Sequence, residues 1–314
     1  MKEQFKELME RIKNGIIPAT VTPWKNVDTC EIAEDDLKTH ISRLCSIDGV
    51  VAVICNAHSG EGKMVPKEVK REVVRLHKQA AGKTPVFSGI AGESTTLAIE
   101  EAKAVEDGGA DGIMPIPPAV FNFGRMPPNV AIDYYKAIAK AVNIPIILFQ
   151  FPSWGSAAIP IEACVEIVKM DEVIGFKEAS FNPVLYEQTV RAVEPYRHKF
   201  TMITGNDTFL YHSYLLGAET ALILYGNLVT KMHVEKLRAV RRGELSKAME
   251  LRRKMLPLTD LIFGPPEINL IVRVKEALVM KGIFKSSAVL PPQPAITPEE
   301  RYKLQQILKD LGEI

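Results

Sequence analysis

Val173-Ile174-Gly175-Phe176-Lys177-Glu178-Ala179-Ser180 is an apolar run that stops on a lysine. A continuous rather than alternating apolar run is what a parallel strand covered on both faces requires. Seven more runs of this kind flank it, at residues 16–22, 50–56, 85–90, 112–117, 145–150, 201–205 and 221–225. Amphipathic stretches separate them, at 34–46, 65–81, 95–108, 129–142, 160–170, 185–193 and 207–216. Ser94 stands where an N-cap would open the third of these, and Gly217 where a glycine would stop the last. Eight strand–helix alternations without a break in composition predict an α/β fold, a (β/α)8 TIM barrel. An open doubly wound sheet competes with it, but no Gly-rich dinucleotide turn follows the first run.

The barrel, with a short N-terminal helix, accounts for residues 1–228. Residues 229–314 read as a C-terminal helical extension packed on the barrel, with helices over 233–242, 244–259, 269–281 and 298–311 and a Pro-rich strap at 290–297. The two parts are expected to form one functional unit.

Composition narrows the function classes. The 314 residues are 46% hydrophobic and 25% charged, globular values that exclude disorder, collagen and coiled coil. With 39 basic and 38 acidic residues the net charge is +1, and no basic block points to nucleic acid or an anionic membrane. No apolar run approaches the ~18 residues of a membrane span. The charged N-terminus lacks the apolar core of a signal peptide. Cys30, Cys45, Cys55 and Cys164 are irregularly spaced and read as free thiols of a cytoplasmic protein. The six histidines show no ligand spacing, so no metal is expected.

In a barrel the chemistry gathers where the strands end. A lysine ending a buried strand is costly unless paired or neutral. Burial favours the neutral amine, which is the form that attacks a carbonyl to make an imine. Position alone leaves a salt-bridged lysine, with Glu178, equally open. The second run ends Asn56-Ala57-His58-Ser59-Gly60-Glu61-Gly62, a small-residue turn whose hydroxyl and N–H groups suit a carboxylate. His58 is a candidate proton carrier or a structural histidine. The fourth and fifth runs end in aromatic and apolar residues, among them Phe149, Phe151 and Trp154, a wall without acid or base.

Taken together, several motifs resemble the dihydrodipicolinate synthase/N-acetylneuraminate lyase family of class I aldolases. They are Gly15-Ile-Ile-Pro-Ala-Thr-Val-Thr22-Pro23, Ser59-Gly60-Glu61, Gly89-x-x-Gly92-x-Ser94-Thr95, Gly109-Ala110-Asp111-Gly112, Ile174-Gly-Phe-Lys177-Glu-Ala-Ser180, Thr204-Gly205-Asn206-Asp207 and Val274-Lys275-Glu276-Ala277. The resemblance runs from Gly15 to the C-terminus. It implies a barrel with a helical C-terminal segment, commonly tetrameric, that works through an imine on Lys177 without cofactor or metal. Ser59 and Gly60 are then the carboxylate site, and Leu222, Phe149 and Trp154 line the substrate.

The chain departs from that family where protons are relayed. The usual tyrosine ending the fifth strand is Phe149, and the arginine of the same pattern, which binds a substrate carboxylate in the synthase branch, is Trp154. A phenyl ring cannot relay a proton. The paired threonines of the second turn are His58-Ser59, and the tyrosine after the fourth strand falls near Val120. Arg125 is a candidate replacement cation. These departures argue against dihydrodipicolinate synthase activity. The expectation is a Schiff-base lyase on a 2-keto acid, with Lys177 as nucleophile and His58 as base. It would either dehydrate a 2-keto-3-deoxy sugar acid or cleave or form a C3–C4 bond to pyruvate. Alternatives are a hydratase-aldolase with an aromatic aldehyde and a non-catalytic keto-acid-binding barrel. The expected partners are a small 2-keto acid and further copies of the chain, as dimer or tetramer.

Overall fold

The structure is a computed structural model that describes residues 1–118, 126–152 and 157–314. Eight parallel strands form the barrel: β1 (Ile16–Pro18), β2 (Val53–Cys55), β3 (Val86–Ile90), β4 (Gly112–Pro115), β5 (Ile146–Gln150), β6 (Val173–Glu178), β7 (Thr201–Thr204) and β8 (Thr220–Ile223). Their order is β1-β8-β7-β6-β5-β4-β3-β2, and parallel bridges from Ile16 to Val50 and from Ala19 to Ile54 close the ring. The (β/α)8 barrel expected from the apolar runs is the observed fold. Most strands are shorter than the runs, because several runs carry on into the mouth as loop, whereas β6 fills its run. Past β1, for example, the Thr20 hydroxyl turns aside to donate to Ile54 O at 3.0 Å.

Helices α1 (Glu3–Arg11), α2 (Glu34–Cys45), α3 (Lys67–Ala80), α4 (Thr95–Asp107), α5 (Pro128–Ala141), α6 (Ile161–Ile167), α7 (Pro183–Val193) and α8 (Leu210–Leu215) accompany the strands. The Ser94 side chain accepts from Leu97 N and caps α4. Gly217 follows α8 at φ +96, a conformation that favours glycine. Helix α8 starts three residues later than the apolar pattern suggests, because Asp207 spends its carboxylate on the Tyr225 N–H instead of opening a helix. A two-stranded antiparallel ribbon, Trp24–Asn26 against Glu31–Ile32, was not foreseen.

Two apolar layers position the site. Outward strand residues pack on the helices, while Ile17, Ile54, Phe87, Met114, Ile147, Phe149, Ile174, Ile203 and Leu222 fill the interior. Helix α1 adds Phe5, Met9 and Ile12 to that interior core. The hydroxyls of Thr201 and Thr220, at the starts of β7 and β8, donate to Met9 O (3.1 Å) and Ile12 O (2.6 Å). These are carbonyls that the end of α1 would otherwise leave unpaired. Helix α1 therefore plugs the N-terminal end of the barrel, leaving chemistry to the C-terminal end.

Beyond β8 come α9 (Thr230–Arg241), α10 (Leu245–Phe263), α11 (Leu270–Met280) and α12 (Pro298–Asp310). Val234 of α9 sits where a Cβ on Gly49 would lie, so the helix presses directly on the chain entering β2. Tyr225 and Leu228 share one core with Met255, Leu258, Val274 and Leu308.

Candidate active site

Lys177 is the penultimate residue of β6, in register with Phe149 of β5 and Ile203 of β7. Its side chain is half-buried, and Nζ lies 4.4 Å from the centroid of the Phe149 ring. Gly205, just past β7, makes room for it: a Cβ there would stand 2.4 Å from Lys177 Cε. Burial lowers the lysine's affinity for its proton, and Asp207 opposes that shift. The pairing with Glu178 is not made. Adjacent strand residues point to opposite faces, and the Glu178 carboxylate accepts from Asn206 Nδ2 (2.8 Å) and Ser180 N (3.2 Å).

Asp207 is buried in the loop before α8, where its carboxylate accepts from Tyr225 N at 3.0 Å. Burial raises its pKa, against the pull of that N–H and of Lys177. Lys236 of α9, also buried, is lowered to about 7 by burial, opposed by Asp207. One carboxylate thus serves two desolvated lysines, one of them the nucleophile expected from the sequence. The sequence reading assigned no role to Asp207 or Lys236.

The turn after β2 is tight. Asn56 and Glu61 have positive φ (53° and 57°), and a Cβ on Gly62 would fall 1.8 Å from Asn56 O. Gly60 N and Glu61 N donate to Ala57 O and His58 O, each at 3.1 Å. The Gly60 N–H, expected to bind substrate, is therefore already used inside the turn. Position 60 is close-packed: a Cβ there would meet Asn56 N at 3.0 Å and Thr20 O at 3.2 Å. Ser59 is buried, and among the described residues its hydroxyl has no partner. A buried, unpaired hydroxyl is costly, and a carboxylate oxygen would satisfy it.

His58 is open to solvent at one side, yet the walls of the mouth desolvate it. That desolvation lowers its pKa, Lys63 and Lys177 lower it further, and Glu61 opposes them. The residues at positions 58, 177 and 207 are electrostatically one cluster. Phe149 is buried and stacks edge-on to Phe151, centroids 5.6 Å apart. Leu222 is wholly buried in the interior core. Trp154, Arg125 and Val120 lie outside the described residues. Lys63, which the sequence reading passed over, sits 5.6 Å above the Phe151 ring and 3.7 Å from the Glu93 carboxylate. Its signal was a basic residue directly after the Gly62 turn.

The Dihydrodipicolinate synthetase family model matches residues 13–311, nearly the whole chain. The chain belongs to this family. Its members are lyases of the class I aldolase type, and so is this protein. The 4-hydroxy-tetrahydrodipicolinate synthase of Maridesulfovibrio salexigens is 30% identical over 301 residues, 95% of this chain and 98% of its own. That of Methanopyrus kandleri is 29% identical over 300 residues, 95% and 96% of the two chains. In structure, the chloride-inhibited dihydrodipicolinate synthase from Acinetobacter baumannii, solved with pyruvate, superposes with TM-score 0.84 at 24% identity, covering 96% of this chain and all of its own.

These relatives overturn the expectation against synthase activity. That expectation rested on the relay hydroxyls missing at Phe149, at His58 and near Val120, and on the guanidinium missing at Trp154. Forming the imine depends on none of these groups. It depends on a desolvated lysine and a carboxylate turn, and the chain-wide likeness to the synthases outweighs these replacements.

Proposed function

We propose that the protein condenses pyruvate with an aldehyde through an imine on Lys177, giving 4-hydroxy-tetrahydrodipicolinate, the product in its relatives' name. The observation that carries the reading is the desolvated lysine over the Phe149 ring, electrostatically coupled to the turn bearing the unpartnered Ser59 hydroxyl. Taking pyruvate's carbons from that product leaves a four-carbon amino-acid aldehyde, aspartate semialdehyde, as the second substrate.

Neutral Lys177 attacks the pyruvate ketone and water leaves. The protonated imine withdraws electrons from C3, so a C3 proton can be removed to give an enamine. The enamine carbon adds to the aldehyde. The amine of the second substrate then displaces Lys177, closing the ring and freeing the enzyme. Ser59 donates to the pyruvate carboxylate. His58, kept neutral by its lowered pKa, carries the C3 proton in place of a strand-five hydroxyl. Lys63 is the cation for the second carboxylate, which the family pattern would give to an arginine.

Borohydride reduction with pyruvate, followed by peptide mapping, is expected to fix a three-carbon adduct on Lys177; no adduct would sink the imine. An adduct without product from aspartate semialdehyde would sink the synthase reading. Lys63→Ala is expected to raise the half-saturating aldehyde concentration on the order of tenfold and to leave that of pyruvate unchanged. The imine is itself the electron sink, so we expect no metal or cofactor, and a chelator to leave the rate intact.

We also assign the chain to a homo-oligomer, dimer or tetramer, supported by outward apolar side chains such as Leu97 and Val184, 51% and 66% exposed; a monomer in sedimentation would reverse this. No helix among the described residues is long and apolar enough to cross a membrane. The cytoplasm is our proposed location, supported by four free thiols.

A further inference from the structure

Glu61 closes the turn that carries Ser59, and its carboxylate is buried with four donors. Trp24 Nε1 (2.8 Å) and Lys275 Nζ (2.5 Å) reach Oε2. Leu290 N (2.7 Å) and Gln293 Nε2 (2.8 Å) reach Oε1. Three of these donors belong to the C-terminal extension. Lys275, on α11, is as fully buried as Glu61, and it also donates to Ala288 O at 2.8 Å and lies 5.6 Å from the Trp24 ring. The same Glu61 holds positive φ and donates its N–H to His58 O across the two residues between them, Ser59 and Gly60.

We infer that Lys275 is a positioning residue for the pyruvate-carboxylate site: through Glu61 the C-terminal extension fixes the backbone from His58 to Gly62 and so aims the Ser59 hydroxyl. A buried carboxylate stripped of its cation either takes up a proton or admits water. Either change releases the donors that hold Glu61 in its left-handed conformation, and the turn relaxes with it. The α11 segment thus reaches the substrate turn without touching substrate.

The inference rests on pyruvate binding at Lys177 and Ser59, so the full-length wild-type protein is trapped first. No wild-type adduct would count against that reading and leave nothing for Lys275 to position. With the adduct in hand, the pyruvate concentration giving half-maximal trapping is compared among Lys275→Met, Lys275→Arg and Gln293→Ala, alongside turnover at saturating pyruvate. Lys275→Met is expected to raise half-saturation on the order of tenfold and to change saturated turnover far less, and Lys275→Arg to retain more of the affinity. Gln293→Ala, which removes one neutral donor from a partly exposed position, is expected to give a smaller rise in the same direction. An unchanged half-saturation in folded Lys275→Met overturns the inference. Should that variant not fold, an unchanged half-saturation in Gln293→Ala overturns it.

Discussion

Lys177 and Lys275 are two lysines in apolar surroundings, each lowered in pKa to about 8 by burial, and they are held in opposite ways. Lys275 is wholly enclosed and its ammonium is spoken for by Glu61 and the Ala288 carbonyl. Lys177 is half-buried, has no ion pair at contact distance among the described residues, and faces the Phe149 ring. Burial penalises the charged form in both. The satisfied lysine holds structure together; the unsatisfied one is left free to react. The difference lies in neighbours as well as in depth: Lys275 was given a carboxylate, while Lys177 was given a glycine for clearance and a carboxylate only at Coulombic range.

The comparison breaks first at Lys177. Lys177→Ala is expected to abolish the borohydride adduct and to cut turnover by on the order of a thousandfold or more, with the fold intact by circular dichroism. Retained trapping would mean that another lysine is the nucleophile. Lys275→Met is expected to cost about 3–5 kcal/mol of stability, the usual consequence of orphaning one member of a buried ion pair. Urea unfolding reads this. A loss near zero would mean that water already screens Glu61.

What the sequence made legible follows the same division. The strands showed because each is a continuous apolar run, and Lys177 showed because it interrupts one. The ribbon at Trp24–Asn26 did not, since two or three residues carry no usable periodicity. Lys275 was visible as a motif, but its partner lies 214 residues away, a separation no local pattern bridges. Asp207 was read as part of a helix because nothing local announces that Tyr225 N–H claims its side chain. The exclusion of synthase activity failed for a related reason. It weighed the replaced residues singly, while the likeness to the synthases spans 95% of the chain.

Two smaller effects sharpen the account of Lys177. His58→Ala is expected to lower turnover on the order of a hundredfold while imine trapping falls much less, because forming the imine does not require removal of the C3 proton. Equal losses in both would make His58 structural.

Asp207→Asn tests the long-range carboxylate, and its sign can be worked out. Trapping requires the neutral amine, so its rate rises with pH as Lys177 loses its proton. Burial lowers that pKa, and ionised Asp207 works against burial by stabilising the ammonium. Asparagine keeps the shape and an acceptor for Tyr225 N–H but carries no charge. The Lys177 pKa should therefore fall further, and the midpoint of the trapping profile should move to lower pH, with more adduct than wild type on the acid limb and little change on the alkaline one. A midpoint that stays put would show that the two groups do not feel each other. A shift to higher pH would mean that Asp207 takes the lysine's proton outright as a base, the reverse of the way Glu61 stabilises the Lys275 ammonium.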